Sequence, residues 1–287
     1  MLSLIQSLVG RLRGLLRRLV RGVMRRVDPR PASEARLQDA LDRALDRRQR
    51  ERTRAPTSMR LHAQLRTNLI VANDVDMLYR AMQWHRRAEV DQGSLKYCVD
   101  LMDVNGRVLL DQEVIAGACA NHGGPGRTIV EIGTSLGVGT DLMAEHAPEA
   151  DIITINVPPE EADEAGRQIT DAPSLDEIGC YFRAKGRTNI TQLLVNTLHW
   201  NPEMPRIDIA YIDGCHDVDF VYQDTVKVLS RCQPGSLIIW HDFSPRYKHT
   251  YGWVWEVCEA VERLYEDGHL SGRLVHLRDS WSGLYVV

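Results

Sequence analysis

The stretch at residues 128–140, TIVEIGTSLGVGT, constrains the fold of this chain more than any other. An apolar run reaches Glu131, and a loop with three glycines (Gly133, Gly137 and Gly139) follows at once. Glycine lets the backbone turn sharply between a buried strand and the next helix, and lets a ligand sit against bare peptide. The pattern predicts the strand–loop–helix unit of an α/β protein, although many α/β proteins carry one such turn.

Two later segments repeat the theme of an apolar strand that ends in polar side chains. They are YIDGCH at 211–216 and IIWHD at 238–242. In open α/β sheets the ligand crevice lies beyond the carboxyl ends of the strands. Asp213 and Asp242 should therefore project from neighbouring strand ends into one crevice. His216 should lie on the loop that enters the next helix.

Apolar, strand-like segments alternate with helix-like segments from residue 111 to the end of the chain, and this order predicts a doubly wound sheet. The predicted strands are 128–132, 151–156, 190–194, 207–212, 236–241, 274–277 and 283–287. The predicted helices are 112–121, 140–147, 159–168, 217–231 and 253–266. The whole chain divides into a basic amphipathic helix at 1–30, a charged helical linker at 31–57, a helical and hairpin cap region at 58–110, and the sheet domain at 111–287.

Together these features resemble the class I S-adenosylmethionine-dependent methyltransferases, in particular the small-molecule and sugar O-methyltransferases of the macrocin O-methyltransferase type. The resemblance covers about residues 111–287. It implies a Rossmann-like, mostly parallel seven-stranded sheet with a terminal antiparallel strand pair. It also implies S-adenosylmethionine as cofactor and a hydroxyl of a small molecule or sugar-containing metabolite as methyl acceptor.

The resemblance places the cofactor on the glycine loop and the strand ends beside it. The residues that it implies are Glu131, Gly133, Thr134, Gly137, Gly139, Asn156 and Asn196. Glu131 would organise the loop and approach the ammonium group of the methionine moiety, as electrostatics favours. Asn156 departs from the family pattern, because an Asp or Glu usually accepts both ribose hydroxyls there and Asn is a poorer bidentate acceptor. Glu160 is a nearby substitute.

Methyl transfer to an alcohol requires that the oxygen be held in line and lose its proton. His216 is the preferred general base, with Asp213 beside it. In metal-dependent relatives, acids at these two strand ends bind magnesium, so Asp213 and Asp242 are candidate ligands of a divalent cation, Mg²⁺ or Mn²⁺. Phe243 stands where those relatives have an Asn ligand. His216 or His241 could supply a third ligand, and a nitrogen ligand suits manganese better than magnesium.

The charge of the chain is uneven. The net charge is −4, yet residues 1–30 hold eight arginines and one acid, so the remainder carries −11. An acidic body argues against a nucleic-acid partner. Leucines and arginines on opposite faces of residues 1–27 fit peripheral membrane contact, and they fit equally a helix packed on the protein's own core or on a second subunit. An Arg-rich transit peptide is a third interpretation.

Six scattered cysteines without a CxxC pair indicate a reduced, cytoplasmic protein, peripheral at the membrane if residues 1–27 contact lipid. The main alternative to an enzyme is a catalytically inactive methyltransferase-fold scaffold, which Asn156 and Phe243 favour. A nicotinamide oxidoreductase is disfavoured, since the loop glycines do not have the G-x-G-x-x-G spacing. The polar and aromatic loop at 246–253, with Trp281, either borders the acceptor or packs internally.

Overall fold

A computed structural model describes residues 63–90, 110–162, 173–204 and 206–287. Three predicted segments lie outside these residues: the basic helix at 1–30, the linker at 31–57 and the hairpin around Asn105-Gly106. Residues 163–168 of the predicted helix 159–168 also lie outside them. Within the described residues, no helix is both long enough and apolar enough to cross a bilayer.

The described residues form eight strands and seven α-helices, numbered in chain order. The strands are β1 (Leu69–Ala72), β2 (Thr128–Ile132), β3 (Asp151–Asn156), β4 (Ile190–Leu194), β5 (Ile207–Ile212), β6 (Cys232–Trp240), β7 (Leu274–Leu277) and β8 (Gly283–Val286). The helices are α1 (Ala63–Asn68), α2 (Val75–Met82), α3 (Asp111–His122), α4 (Val138–His146), α5 (Cys180–Ala184), α6 (Val218–Leu229) and α7 (Gly252–Glu266), with a 3₁₀ turn at Pro159–Glu161.

All eight strands join one sheet in the order β1-β7-β8-β6-β5-β2-β3-β4. Every neighbouring pair is parallel except the two that involve β8, which runs antiparallel between β6 and β7. The predicted fold class, a Rossmann-like sheet with a terminal antiparallel pair, is confirmed. The carboxyl ends of β2, β5, β6 and β7 therefore meet at one edge of the sheet.

The core lies on both faces of this sheet, since central parallel strands are covered by helices on each side. Every residue of β5 is buried, and its side chains alternate between two clusters. Ala210 and Ile212 pack with Val254 and Val261 of α7 in one cluster. Ile209 and Tyr211 belong to the other cluster, with apolar residues of α2, α3 and α4. The sheet is thereby fixed as a rigid platform for the loops at its carboxyl edge.

The main differences from the sequence prediction lie outside the central strands. The helical part of the cap predicted at 58–110 is interrupted at Leu69–Ala72, which forms the edge strand β1 paired with β7. The sheet therefore has eight strands, whereas seven were predicted. Strand pairing overrides local pattern here, and Asp74 then caps α2 through its side chain, which accepts from the Met77 N–H at 2.7 Å. The short helix α5 was not predicted either.

Candidate active site

Two acids and two histidines meet at the carboxyl ends of β5 and β6. His216 Nε2 lies 2.9 Å from Asp242 Oδ2 and 3.7 Å from Asp213 Oδ1. His241 Nδ1 lies 3.0 Å from Asp213 Oδ1 and 3.5 Å from Asp242 Oδ2. The prediction that Asp213, His216 and Asp242 converge holds in the geometry, and His241 joins them as a fourth member. We refer to these four residues as the Asp/His cluster.

The cluster is buried on one side and reaches solvent on the other. Asp242 is fully buried and both histidines are nearly so, whereas 29% of the Asp213 side chain is exposed. Asp213 is therefore the member that a ligand can reach first. Asp242 itself has a left-handed backbone, with φ of 56°. A non-glycine residue held in this region is strained, and such strain is common at functional sites.

Mutual charge sets the protonation of the cluster. Burial opposes the cationic form of His216, but hydrogen bonds to Asp213 and Asp242 outweigh it and raise its pKa to about 9. Burial also opposes the His241 cation, yet the charges of the same two acids raise its pKa well above the ordinary value. Burial opposes ionisation of Asp213, but the His241 charge and hydrogen bonds from both histidines lower its pKa. Without a ligand, the histidines thus carry the protons that balance the carboxylates.

Asp111, at the start of α3, is a buried neighbour that the sequence did not single out. Its Oδ1 accepts from the Trp281 N–H at 2.8 Å and from the Ser282 hydroxyl at 2.6 Å. Burial raises its pKa, and the His241 charge acts against that rise. Asp111 therefore ties the 281–282 loop to α3 within electrostatic reach of the cluster. An acid at a helix start gives no sequence signal for such a long-range contact.

The glycine loop lies directly against the Asp213 strand end. Gly133 has φ of 105°, and a Cβ on it would lie 2.0 Å from the Asp213 carbonyl oxygen. The Gly133 N–H donates to Ile155 O at 2.8 Å, and the neighbouring Thr134 N–H donates to the same oxygen at 3.2 Å. Only glycine fits at 133, because a side chain would push the ends of β2 and β5 apart.

The far side of the same loop is covered by the chain itself. Gly137 has φ of 83°, and a Cβ there would meet the Phe182 ring at 2.5 Å and Gly179 Cα at 2.9 Å. The Gly179 N–H donates to Ser135 O at 2.8 Å, and the Tyr181 N–H donates to Leu136 O at 2.9 Å. Gly137 is thus required by packing against residues 179–182, a role that the sequence pattern did not reveal.

Glu131 is buried beneath the loop. Its Oε2 accepts from the hydroxyls of Thr140 and Thr154, each at 2.5 Å. Its Oε1 lies beside Gly139, where a Cβ would come within 2.9 Å. Burial raises the Glu131 pKa to about 8, against the lowering effect of the two threonines. A side chain at 139 would therefore crowd the Glu131 carboxylate, and a cation beside that carboxylate would favour its ionised form.

The two asparagines predicted to bind cofactor already have intramolecular partners. Asn156 Oδ1 accepts from the Ser135 N–H at 2.9 Å, and its amide donates to Val157 O at 2.9 Å. Asn196 Oδ1 accepts from the Leu198 N–H at 3.1 Å. Thr134, also predicted, shares a 2.7 Å hydrogen bond with the Thr154 hydroxyl. Asn156 therefore shapes the glycine loop, and an aspartate there could still accept from Ser135 but could not donate to Val157 O.

The aromatic loop after Asp242 is packed internally. Tyr247, Tyr251, Trp253 and Trp281 are all at least nine-tenths buried. The Trp253 and Trp281 rings stack at 6.0 Å between centroids, and Tyr251 lies 4.6 Å from Trp253. Of the two interpretations left open by the sequence, the contacts agree with internal packing for these rings.

Comparison with known proteins agrees with this geometry. Residues 130–243 match the family model described as "Methyltransferase domain". This range runs from β2 through the glycine loop to Phe243, and so contains Glu131 and all four members of the Asp/His cluster. These residues therefore resemble a methyltransferase domain. No curated protein matches the chain in sequence.

Solved structures resemble this chain at low sequence identity. The O-methyltransferase NovP is 14% identical, with a TM-score of 0.50 over 74% of this chain and 99% of its own. The O-methyltransferase TomG from Streptomyces achromogenes, solved in complex with S-adenosylmethionine, is 15% identical, with a TM-score of 0.45 over 79% of this chain and 100% of its own. At these identities the comparison concerns the fold alone.

The described residues fit the groups that the resemblance to methyltransferases implies. For the cofactor, Glu131 offers a carboxylate beneath the glycine loop, with its Oε1 next to Gly139. For a metal, one atom each from Asp213, His216 and Asp242 lies within 4.8 Å of the other two, a spacing that one divalent ion can span. Two oxygens and one nitrogen form a donor set that suits Mn²⁺ at least as well as Mg²⁺.

Proposed function

We propose that this protein is an S-adenosylmethionine-dependent O-methyltransferase that acts on a hydroxyl of a small molecule or sugar-containing metabolite. The observation that carries the proposal is the Asp/His cluster, which directly adjoins the glycine loop through the contact of Gly133 with the Asp213 carbonyl. Acids and histidines that shift one another's pKa at the mouth of a crevice are typical of catalytic sites. In this arrangement, the methyl donor on the loop and a hydroxyl on the cluster would be neighbours.

In this proposal, Glu131 binds the cationic end of the cofactor. The rest of the cofactor contacts the backbone around Gly133, Gly137 and Gly139. Asp213, the exposed member of the cluster, orients the acceptor hydroxyl. His216 accepts the hydroxyl proton once it has lost the proton that it shares with the two acids. In-line positioning matters most, because the methyl group of a sulfonium is already activated.

The cluster can also hold a divalent cation through Asp213, His216 and Asp242. A cation bound there would supply the positive charge that the histidine protons otherwise provide, and would acidify a coordinated hydroxyl. His241, whose Nδ1 lies 3.0 Å from Asp213 Oδ1, would then orient that ligand. A metal-dependent mechanism predicts that a chelator abolishes methyl transfer, whereas a metal-free mechanism predicts that it has no effect.

The first test is calorimetric titration of S-adenosylmethionine and S-adenosylhomocysteine into wild type and Glu131→Gln. We expect micromolar binding to wild type and at least tenfold weaker binding to the variant. Binding would justify a screen of hydroxylated acceptors by mass spectrometry, with Mn²⁺, Mg²⁺ or EDTA present. Asp213→Asn should abolish product formation, whereas Asp219→Asn, whose carboxylate is 75% exposed on α6, should not.

One observation favours a second candidate function, an inactive scaffold with the methyltransferase fold. Asn156 stands where an acid would bind ribose, and its oxygen is used by the Ser135 N–H. A well-folded protein that binds neither S-adenosylmethionine nor S-adenosylhomocysteine would support this candidate and refute the enzyme.

Two expectations from the sequence remain proposals: residues 1–27 would contact anionic membrane, and the chain would form homo-oligomers. The boundary predicted between the cap at 58–110 and the sheet domain at 111–287 would not separate independent units, because β1 pairs with β7 in the same sheet. Deletion of residues 1–27 followed by co-sedimentation with anionic liposomes tests the membrane contact. Unchanged co-sedimentation after the deletion would refute membrane contact through this segment.

A further inference from the structure

A separate cavity of about 450 Å³ opens where the edge strand β1 meets β7. Val71 and His276, which pair across these two strands, form one side of it. The residues that line it are Val71, Pro245, Arg246, His276, Arg278 and Asp279. From the sequence, the loop after Asp242, which contains Arg246, and the loop at 278–282, which contains Arg278 and Asp279, are expected either to border the acceptor or to pack internally. None of the six lining residues is predicted from the sequence as a binding residue.

The cavity has a surplus of positive charge held in a defined geometry. Arg246 Nη1 lies 2.9 Å from Asp279 Oδ1, and its guanidinium carbon lies 5.2 Å from the centre of the Tyr247 ring. Arg278 is exposed, and no ion pair of its side chain occurs within the described part of the chain. Its backbone N–H donates to Ala72 O at 2.8 Å, which fixes its position against β1. Two arginines and one acid thus line the cavity.

His276 adds a neutral acceptor to this cavity. Its buried ring places Nδ1 2.9 Å from Ser282 O. A carbonyl oxygen can only accept, so Nδ1 carries the proton and Nε2 has a free lone pair. Burial also lowers the His276 pKa to about 4, which keeps the ring neutral. Nε2 is therefore the nitrogen available to a hydroxyl of a ligand.

The cavity lies on the same edge of the sheet as the Asp/His cluster. His276 is in register with Gly283 of β8, and Gly283 is in register with Trp240 of β6, two residues before Asp242. Two strand spacings separate β7 from β6, a distance of about 10 Å. The Phe243 ring spans part of this gap, with its centroid 5.9 Å from that of His276. One extended ligand can therefore reach both places.

We propose that this cavity binds a carboxylate or phosphate group at the far end of the methyl acceptor, so that the enzyme acts on an acidic, hydroxylated molecule. Arg278 and Arg246 bind the oxyanion, as planar guanidinium groups do best, and His276 accepts from a neighbouring hydroxyl. The reactive hydroxyl of such an acceptor lies on the order of 10 Å from the anion. That the bound molecule is a methyl acceptor rests on the proposed function, whereas the anion site itself does not.

The test compares three probes that share a three-carbon hydroxylated skeleton: glycerol, glycerate and glycerol 3-phosphate. Binding to the full chain is measured by ligand-observed NMR for wild type, Arg278→Gln, Arg246→Gln and the control Arg273→Gln. Arg273 is exposed and precedes β7 at the opposite edge of the sheet. We expect an acidic probe to bind wild type, at least tenfold weaker binding to Arg278→Gln, and no change in Arg273→Gln. The tighter of glycerate and glycerol 3-phosphate identifies carboxylate or phosphate.

Equal binding of glycerol and both acidic probes would overturn the inference, as would unchanged binding in Arg278→Gln and Arg246→Gln. Arg278→Gln removes an exposed side chain and should fold, so the result does not depend on Arg246→Gln, which breaks the pair with Asp279. S-adenosylmethionine titration of the same variants keeps the two proposals apart. Cofactor binding without anion binding refutes only the acidic acceptor, and anion binding without cofactor binding refutes only the methyltransferase activity.

Discussion

At the scale of single residues, contacts decide what each glycine and acid does, and the sequence shows only which positions matter. Glu131 and Gly133 could be singled out from sequence because a strand end followed by glycine is a strong local pattern. The tight packing of Gly137 against Phe182 could not, because the two residues meet only after the chain has passed through β3. His241 was considered only as a supporting residue, yet it pairs with Asp213 at 3.0 Å.

Glycine at 133 is required by space as well as by backbone conformation. We expect Gly133→Ala to lower the free energy of unfolding by about 3 kcal/mol or more, because its Cβ would lie 2.0 Å from Asp213 O. The matched control is Gly126→Ala, which has φ of 70° but no atom within 4 Å of the added Cβ, and should cost about 1 kcal/mol. Equal losses in urea denaturation would contradict the steric argument.

Burial of Glu131 should make stability depend on pH. Its pKa rises from an ordinary 4.5 to about 8 on folding, so the folded state binds the extra proton between these values. The contribution of Glu131 to stability is therefore greatest at low pH and falls as pH rises from about 4.5 to about 8, by at most ~1.4 kcal/mol per pH unit. Glu131→Gln should remove this slope.

The measurement is urea denaturation of wild type and Glu131→Gln from pH 5 to pH 8. The difference between the two curves isolates Glu131 from the histidines of the Asp/His cluster, which titrate in both proteins. The variant should be the more stable protein at pH 8. A difference that stays constant across this range would show that Glu131 does not change its protonation on folding as argued.

At the scale of helices and strands, the sequence predicts the parallel strands well and the edge poorly. β2, β3 and β5 lie at the predicted residues because runs of buried, largely β-branched side chains are typical of central strands. β1 was missed because four residues, LIVA, sit between two helices and gain their strand conformation from pairing with β7. Tertiary pairing of this kind leaves no periodic signal in a short segment.

The region around β1 should unfold together with the rest of the sheet. Leu78 of α2 is fully buried in the cluster that also contains Ile209 and Leu277. We expect Leu78→Ala to lower the free energy of unfolding by about 2–5 kcal/mol in one cooperative transition. Arg80→Ala, on the exposed side of the same helix, should change it by less than about 0.5 kcal/mol. A separate early transition in Leu78→Ala would mean that residues 63–90 form an independent unit.

At the scale of the whole molecule, strands distant in sequence bring charge together at one edge of the sheet. β5 and β6 deliver the Asp/His cluster, and β7 delivers the oxyanion cavity two strands away. The crevice position followed from the sequence, because parallel strands align their carboxyl ends. The cavity did not, because it depends on β1, which pairs with β7 across about 200 residues of chain.

Charge balance in the cluster predicts how the molecule responds to metal. A divalent ion that binds only the folded state raises its stability in proportion to the logarithm of free metal over Kd. We expect Mn²⁺ to raise the Tm by several degrees, Mg²⁺ to raise it less because one ligand is a histidine nitrogen, and EDTA to reverse both effects. Asp242→Asn should abolish the shift, whereas Asp219→Asn should retain it. Tm values that do not respond to Mn²⁺ at millimolar concentration would leave His216, without a metal, as the group that receives the acceptor proton.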